Sequence, residues 1–155
     1  MPREPIAIAS DHAGFALKQQ LAEELQAQGR VVLDLGPTSD AAVDYADYGH
    51  ALASAIVAGR AGSGIAICGS GIGISIAVNR HPVVRAALCT SGLMARLARQ
   101  HNDANVLVLG SRIIGIEVAR DCVDQFLNTA FEGGRHAGRV AKLDPPITHL
   151  KDAAE

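Results

Sequence analysis

The chain is predicted to adopt an α/β fold, a doubly wound five-stranded parallel sheet with helices on both faces. Three observations carry this expectation. Short apolar runs recur five times along the 155 residues. The stretches between them place leucine, isoleucine or valine three and four residues apart, the spacing of one helical face. The strand candidates are continuously apolar rather than alternating, as in a sheet covered on both sides.

The elements follow in order. Residues 5–10, P-I-A-I-A-S, read as a short buried strand, and Leu17, Leu21 and Leu25 then mark a helix that Gly29 can stop. Residues 30–35, R-V-V-L-D-L, suit a second strand, and G-P-T-S-D at 36–40 is loop chemistry. Tyr45, Tyr48, Leu52 and Ile56 form the stripe of a second helix. Strand three is G-I-A-I-C at 64–68, followed by a glycine loop and a short helix, I-S-I-A-V-N. Strand four is R-A-A-L-C at 85–89, and residues 91–101 form a helix with Leu93, Met94 and Leu97. Strand five is N-V-L-V-L-G at 105–110. A long helix from about 115 to 131 is expected to bury Ile116, Ala119, Val123 and Leu127, before a basic segment, R-H-A-G-R-V. The whole is Rossmann-like: one domain over residues 1–142, with a tail at 143–155.

Composition narrows the function classes. Hydrophobic residues at 48% and charged residues at 19% describe a folding chain. A formal net charge of −2 gives no basic footprint for nucleic acid. With three Phe, two Tyr and no Trp, there is little surface on which bases could stack. No apolar run reaches the roughly 18 residues of a membrane span. The start, M-P-R-E-P, leads straight into strand one without signal-peptide architecture. Three cysteines, odd in number and without metal-type spacing, suit a reduced, cytoplasmic protein.

In doubly wound sheets ligands bind beyond the carboxyl ends of the strands. That singles out Asp11-His12, Cys68 with its glycines, Cys89-Thr90-Ser91 and Ser111-Arg112. Gly69, Gly71 and Gly73 let the backbone approach a ligand, and their amides can hold an anion. The loop is neither G-x-G-x-x-G nor a P-loop. At its mouth, Cys68 is either a small buried hydrophobe or, with amides favouring the thiolate, a base or nucleophile. Cys122, mid-helix, reads as core, and Cys89 reads first as packing. Asp11 either caps the following helix or faces a ligand. In R-Q-H-N-D at 99–103, His101, Asn102 and Asp103 are turn and helix-end residues, or His101 is a proton shuttle. Arg135 and Arg139, with His136 between them, form a solvated face or, with Arg112, part of a phosphate site. No His/Cys/carboxylate set in the linear sequence suits zinc.

Together the motifs resemble the ribose-5-phosphate isomerase B family, shared with the subunits of galactose-6-phosphate isomerase. The matching stretches are S-D-H-A-G-F at 10–15, D-Y at 44–45, C-G-S-G-I-G-I-S at 68–75 and N-R at 79–80. They continue with R-Q-H-N-D-A-N-V-L at 99–107, G-S-R at 110–112 and E-G-G-R-H-x-x-R at 132–139. The resemblance implies a metal-free, cofactor-independent aldose–ketose isomerase acting on a sugar phosphate through an enediolate. It also implies a homodimer with active sites shared between subunits; whether dimers pair into a tetramer is not readable from the sequence. By position, Cys68 looks like the base that moves the proton between C1 and C2. Some relatives use a glutamate where this chain has Ile74, so the sequence falls in the cysteine-base branch. Ser70 would assist at the substrate oxygens, and Gly69, Gly71 and Gly73 resemble the enediolate cradle. His101 looks like the group that opens the furanose ring, and Asp11 resembles its helper. Asn102 would hold a hydroxyl. His12, Arg112, Arg135 and Arg139 resemble the phosphate ligands. The competing expectations are another substrate of the same family (allose 6-phosphate, galactose 6-phosphate or a tetrose phosphate), a non-catalytic phosphosugar sensor and a thiol-redox protein.

Overall fold

In the computed structural model, residues 4–143 are described; the tail expected beyond them lies outside that range. The elements run β1 (Ile6–Ser10), α1 (Phe15–Ala27), β2 (Val32–Asp34), α2 (Tyr45–Val57), β3 (Ser63–Cys68), α3 (Ile72–Val78), β4 (Ala86–Leu88), α4 (Gly92–Asn102), β5 (Val106–Gly110), α5 (Ile116–Asn128) and α6 (Arg135–Val140). The strands pair in the order β2-β1-β3-β5-β4, every pair parallel. The expected doubly wound sheet is therefore present. Both outer strands are shorter than the sequence suggests, at three residues each. An edge strand has only one neighbour to hold it.

The apolar runs divide between the two faces with the period of two that a strand imposes. Ile6, Ile8, Ile65, Ile67, Leu107 and Leu109 point to one face, where they pack with Leu21, Leu25, Ala95 and Phe126 of α1, α4 and α5. Ala7, Ala9, Ala66, Val106 and Val108 point to the other, against Leu52, Ile56 and Ile74 of α2 and α3. The second face carries the smaller strand side chains, which lets α2 and α3 lie close to the sheet. Each fully buried Ile or Leu contributes about 1.5–3 kcal/mol relative to exposure.

Two helix stripes differ from expectation. Tyr45 is 46% exposed, and α2 instead buries Gly49, Leu52, Ala53, Ala55 and Ile56. Leu93 and Met94 are 54% and 44% exposed, whereas Gly92, Ala95 and Ala98 form the buried face of α4. Small residues let α4 sit close to its neighbours, leaving its large apolar side chains outward. In α5 the buried set is Ala119, Cys122, Val123 and Phe126, with Ile116 and Leu127 only packed at its margin.

Polar contacts finish the edges. At the β4 edge, the Asn79 side chain donates Nδ2–H to the Ala86 carbonyl (3.0 Å) and accepts the Ala86 N–H on Oδ1 (2.8 Å), standing in for a missing strand. At the β2 edge, the fully buried Lys18 ammonium donates to both oxygens of Asp34, at 2.8 and 2.7 Å. Asp34 also accepts the Gly36 N–H (2.8 Å), which fixes the chain as it leaves the sheet. Sequence periodicity gives no sign of this pair.

Two predictions follow from departures near β4. Val83 has φ = +60° and is 52% exposed, so a β-branched residue sits in the left-handed region. Val83→Asn should stabilise the protein by roughly 0.5–1 kcal/mol, because Asn tolerates that conformation; urea unfolding measures it. His50 Nδ1 and His81 Nε2 lie 2.8 Å apart, a contact only one shared proton can bridge. Burial, and then the charge of His50, hold His81 below the usual histidine range. The unfolded chain therefore binds more protons below about pH 6.5, and stability present above that pH is lost on acidification. The melting temperature should fall between pH 7 and 5.5, with a shallower slope in His81→Gln.

Candidate active site at the carboxyl edge of the sheet

Parallel strands deliver all their carboxyl ends to one edge. There β1, β3 and β5 are neighbours, and the register sets Ser10 beside Ile67 and Cys68 beside Gly110. The three following segments are stitched together by backbone hydrogen bonds. Asp11 N–H donates to Ile67 O (3.1 Å), Ser111 N–H to Cys68 O (2.9 Å) and Arg112 N–H to Gly69 O (2.9 Å). The Ser111 hydroxyl adds a bond to Ala13 O (2.8 Å). Asp11, Cys68, Gly69, Ser70, Gly71 and Arg112 are thereby brought together, as the motifs led one to expect.

Cys68 is buried, with 3% exposure, and its Sγ accepts the Gly71 N–H at 3.1 Å. The turn that delivers this amide requires glycine. Gly71 has φ = +77°, and a Cβ there would run into Leu88 and lie 3.1 Å from the Leu109 carbonyl oxygen. Gly110 is held for a similar reason: a Cβ on it would lie 2.5 Å from the Ser70 carbonyl oxygen. The Ser70 hydroxyl accepts the Ile72 N–H (3.1 Å). Arg112 reaches over the loop, its Nη1 lying 3.4 Å from where a Gly69 Cβ would stand. Gly73 sits in the first turn of α3, with the Tyr45 ring 2.6 Å from its missing Cβ. Tyr45 thus belongs to the wall of this loop, a role its place in a helical stripe did not reveal.

Asp11 is 7% exposed and accepts the Gly14 N–H on Oδ1 (3.0 Å). It organises the turn before α1 and is not the N-cap, a position that Gly14 holds without a side-chain bond. His12 is exposed, and its Nδ1 meets the Val43 backbone at 3.1 Å from O and 3.2 Å from N. Either tautomer ties the ring to the segment before α2, beside a cavity of about 460 Å³ bordered by Val43, Asp44, Asp47 and Tyr48. The other two thiols are elsewhere. Cys89 and Cys122 lie in the core under α4 and α5, where burial pushes them up to about 12 and about 11.

His101, Asn102, Arg135 and Arg139 do not join this cluster. Helix α4 begins just after β4 and runs back toward the start of β5, so its last turn lies at the opposite edge, some 15 Å away by helix rise. That end is firmly built. Asp103 closes α4 at φ = +45°; its carboxylate accepts from Arg99 (2.9 Å) and Arg85 (3.3 Å), and Arg85 Nε also reaches the Asn102 and Asp103 carbonyls. His101 and His136 stack with ring centroids 4.4 Å apart, and Glu132 Oε2 lies 3.5 Å from His136 Nε2. Burial, then the charges of His101 and Arg135, hold His136 below the usual histidine range. The linear sequence suggested no zinc set, yet the fold assembles His101, Glu132 and His136 into one cluster. The two histidines are far apart in the chain, which is why spacing did not disclose it.

Comparison with known proteins agrees with this geometry. The ribose/galactose isomerase family model matches residues 6–143. Ribose-5-phosphate isomerase B of Escherichia coli is 45% identical over 138 residues, spanning 89% of this chain and 93% of that protein. The structure of Clostridium thermocellum ribose-5-phosphate isomerase B superposes with a TM-score of 0.89 at 46% identity, covering 97% of this chain and 99% of the other. Ribose-5-phosphate isomerase B from Mycoplasma genitalium, solved with bound ribulose-5-phosphate, superposes with a TM-score of 0.86 at 42% identity, covering 96% of this chain and 97% of the other. With the match extending over the sheet, the glycine loop and α6, the chain belongs to the ribose/galactose isomerase family.

Proposed function

We propose that this protein is an aldose–ketose isomerase that interconverts ribose 5-phosphate and ribulose 5-phosphate, with Cys68 as the general base. The observation that carries the base assignment is the Gly71 N–H aimed at the Cys68 sulfur from within an amide-rich loop. That bond orients the sulfur among the loop amides, where a base serving this loop would have to stand. Ile74, buried on α3, has no proton to exchange. Cys68 would remove the proton from C2 of the open-chain aldose and return it to C1. The amides of Gly69, Gly71 and Gly73 would hold the developing enediolate, with Ser70 beside them. Fixed backbone donors need no reorganisation, and each is typically worth roughly 2.7–4 kcal/mol. Asp11, with one oxygen engaged by Gly14, would use the other on a ring hydroxyl.

The second half of the chemistry belongs to the far edge. His101 would open the furanose ring and Asn102 would hold a hydroxyl. Arg135 and Arg139 would join His12 and Arg112 around the phosphate, whose binding energy positions the reacting carbons. One chain cannot bring these residues to its own Cys68, because α4 separates them. A second copy can, and the working unit is then a homodimer with two shared sites. Exposed Ile72, Ile76, Leu93, Met94 and Ile113 follow β3, β4 and β5 at the carboxyl edge, the kind of apolar surface that marks an interface. A reduced thiol base suits a cytoplasmic enzyme. Among the described residues, no helix is long and apolar enough to cross a membrane.

Two experiments test this reading. Wild type should convert ribose 5-phosphate to ketose in preference to allose 6-phosphate or galactose 6-phosphate. Cys68→Ala should lose this turnover while still binding the sugar phosphate; full activity in that variant would remove the thiol from the mechanism. Cys68→Ala and His101→Asn, each inactive alone, should complement when co-refolded. Random pairing leaves one intact site in half the dimers, or about a quarter of wild-type activity. Absence of recovery in a demonstrated heterodimer would place both residues in one subunit's site.

A further inference from the structure

We propose that His101, Glu132 and His136 form a binding site for a zinc-class divalent ion, and that its occupancy withdraws His101 from ring opening. The inference rests on the isomerase reading only for that second consequence. The three donor atoms lie within 4.8 Å of one another. A tetrahedral ion with ligands at about 2.0–2.2 Å needs its donors roughly 3.3–3.5 Å apart. The Glu132 Oε2 to His136 Nε2 separation is already 3.5 Å. The two imidazoles, stacked at 4.4 Å with 13° between their planes, must fan apart to aim their lone pairs at a common point.

The backbone is fixed from both directions. Glu132 N–H donates to Gln100 O (3.1 Å), pinning the carboxylate-bearing segment beside His101. His136 N–H donates to Gly133 O (3.0 Å). Two histidines and one glutamate are a donor set that zinc accepts, with the fourth position left to water. A single carboxylate with two imidazoles is a poor match for magnesium or calcium, which take oxygen ligands. Arg135 and Arg139 place their charges close to His136 and oppose a cation, which weakens binding at this site. An imidazole coordinated to zinc has given up the lone pair that would take a proton from the sugar.

The test is calorimetric titration of zinc chloride into the reduced, full-length protein, with turnover of ribose 5-phosphate followed in parallel. Wild type and Cys68→Ala should each bind one ion per subunit. Glu132→Gln, at an exposed position, should bind at least tenfold more weakly, and His136→Asn should lose binding. Zinc should inhibit wild type over the concentration range of the titration, and a chelator should restore activity. No binding to wild type, unchanged binding in both site variants, loss of binding in Cys68→Ala, or a bound ion without inhibition would each overturn the proposal. Activity that requires zinc would also overturn it; should the protein turn over no sugar phosphate with or without zinc, the isomerase reading fails, and the titration still decides whether the site exists.

Discussion

The candidate site depends on one constraint: the glycine loop must lie flat against the end of β5. Cys68 and Gly110 are partners in register, and the chain leaving each is bonded to the other through Ser111 N–H to Cys68 O and Arg112 N–H to Gly69 O. A side chain on Gly110 would strike the Ser70 carbonyl, and one on Gly71 would strike Leu88 and Leu109. The close approach has two consequences. It turns the Gly71 amide onto the Cys68 sulfur and brings the Arg112 guanidinium over Gly69. A loop held further from β5 would separate the Cys68 sulfur from the Gly71 amide, and a misplacement of about 1 Å is enough to matter in an active site.

The other half of the chemistry is governed by the direction of α4. A right-handed crossover between parallel strands must carry the chain back along the sheet. Whatever sits at the end of α4 therefore sits at the amino edge. His101 and Asn102 are placed there by geometry that no local substitution could alter, and Asp103 then stops the helix in a left-handed conformation. Two partly buried arginines from different segments hold that stop. So firm a helix end fixes where His101 and Asn102 stand relative to the rest of the chain.

Much of the fold was legible because parallel strands buried on both faces leave uninterrupted apolar runs, and β1, β3 and β5 match them closely. The errors share a cause. Periodicity reports that a residue is apolar, not which surface covers it. Leu93, Met94 and Tyr45 stand on apolar helical stripes yet lie largely exposed, whereas the small residues Gly92, Ala95 and Ala98 form the buried face of α4. The loop residues of the site were legible as motifs because their spacing is local. Contacts made across long separations were not: Lys18 with Asp34, Arg85 with Asp103, and His101 with Glu132 and His136 all join segments that only the folded chain brings together.

The three cysteines show how far environment, rather than residue type, assigns chemistry. All are almost fully buried: Cys68 at 3%, Cys89 at 1% and Cys122 at 0%. Burial alone therefore cannot select a base. Cys89 and Cys122 share the core of one face, where desolvation dominates and each is pushed far above physiological pH; the nearest polar partner of Cys89 is a carbonyl, Ala87 O at 3.5 Å. A carbonyl can only accept, so it favours the protonated thiol. Cys68 lies on the other face at a strand end, and its partner is a donor, the Gly71 amide. The direction of one hydrogen bond, set by a glycine in a left-handed turn, distinguishes the surroundings of Cys68 from those of the two cysteines packed under the other face.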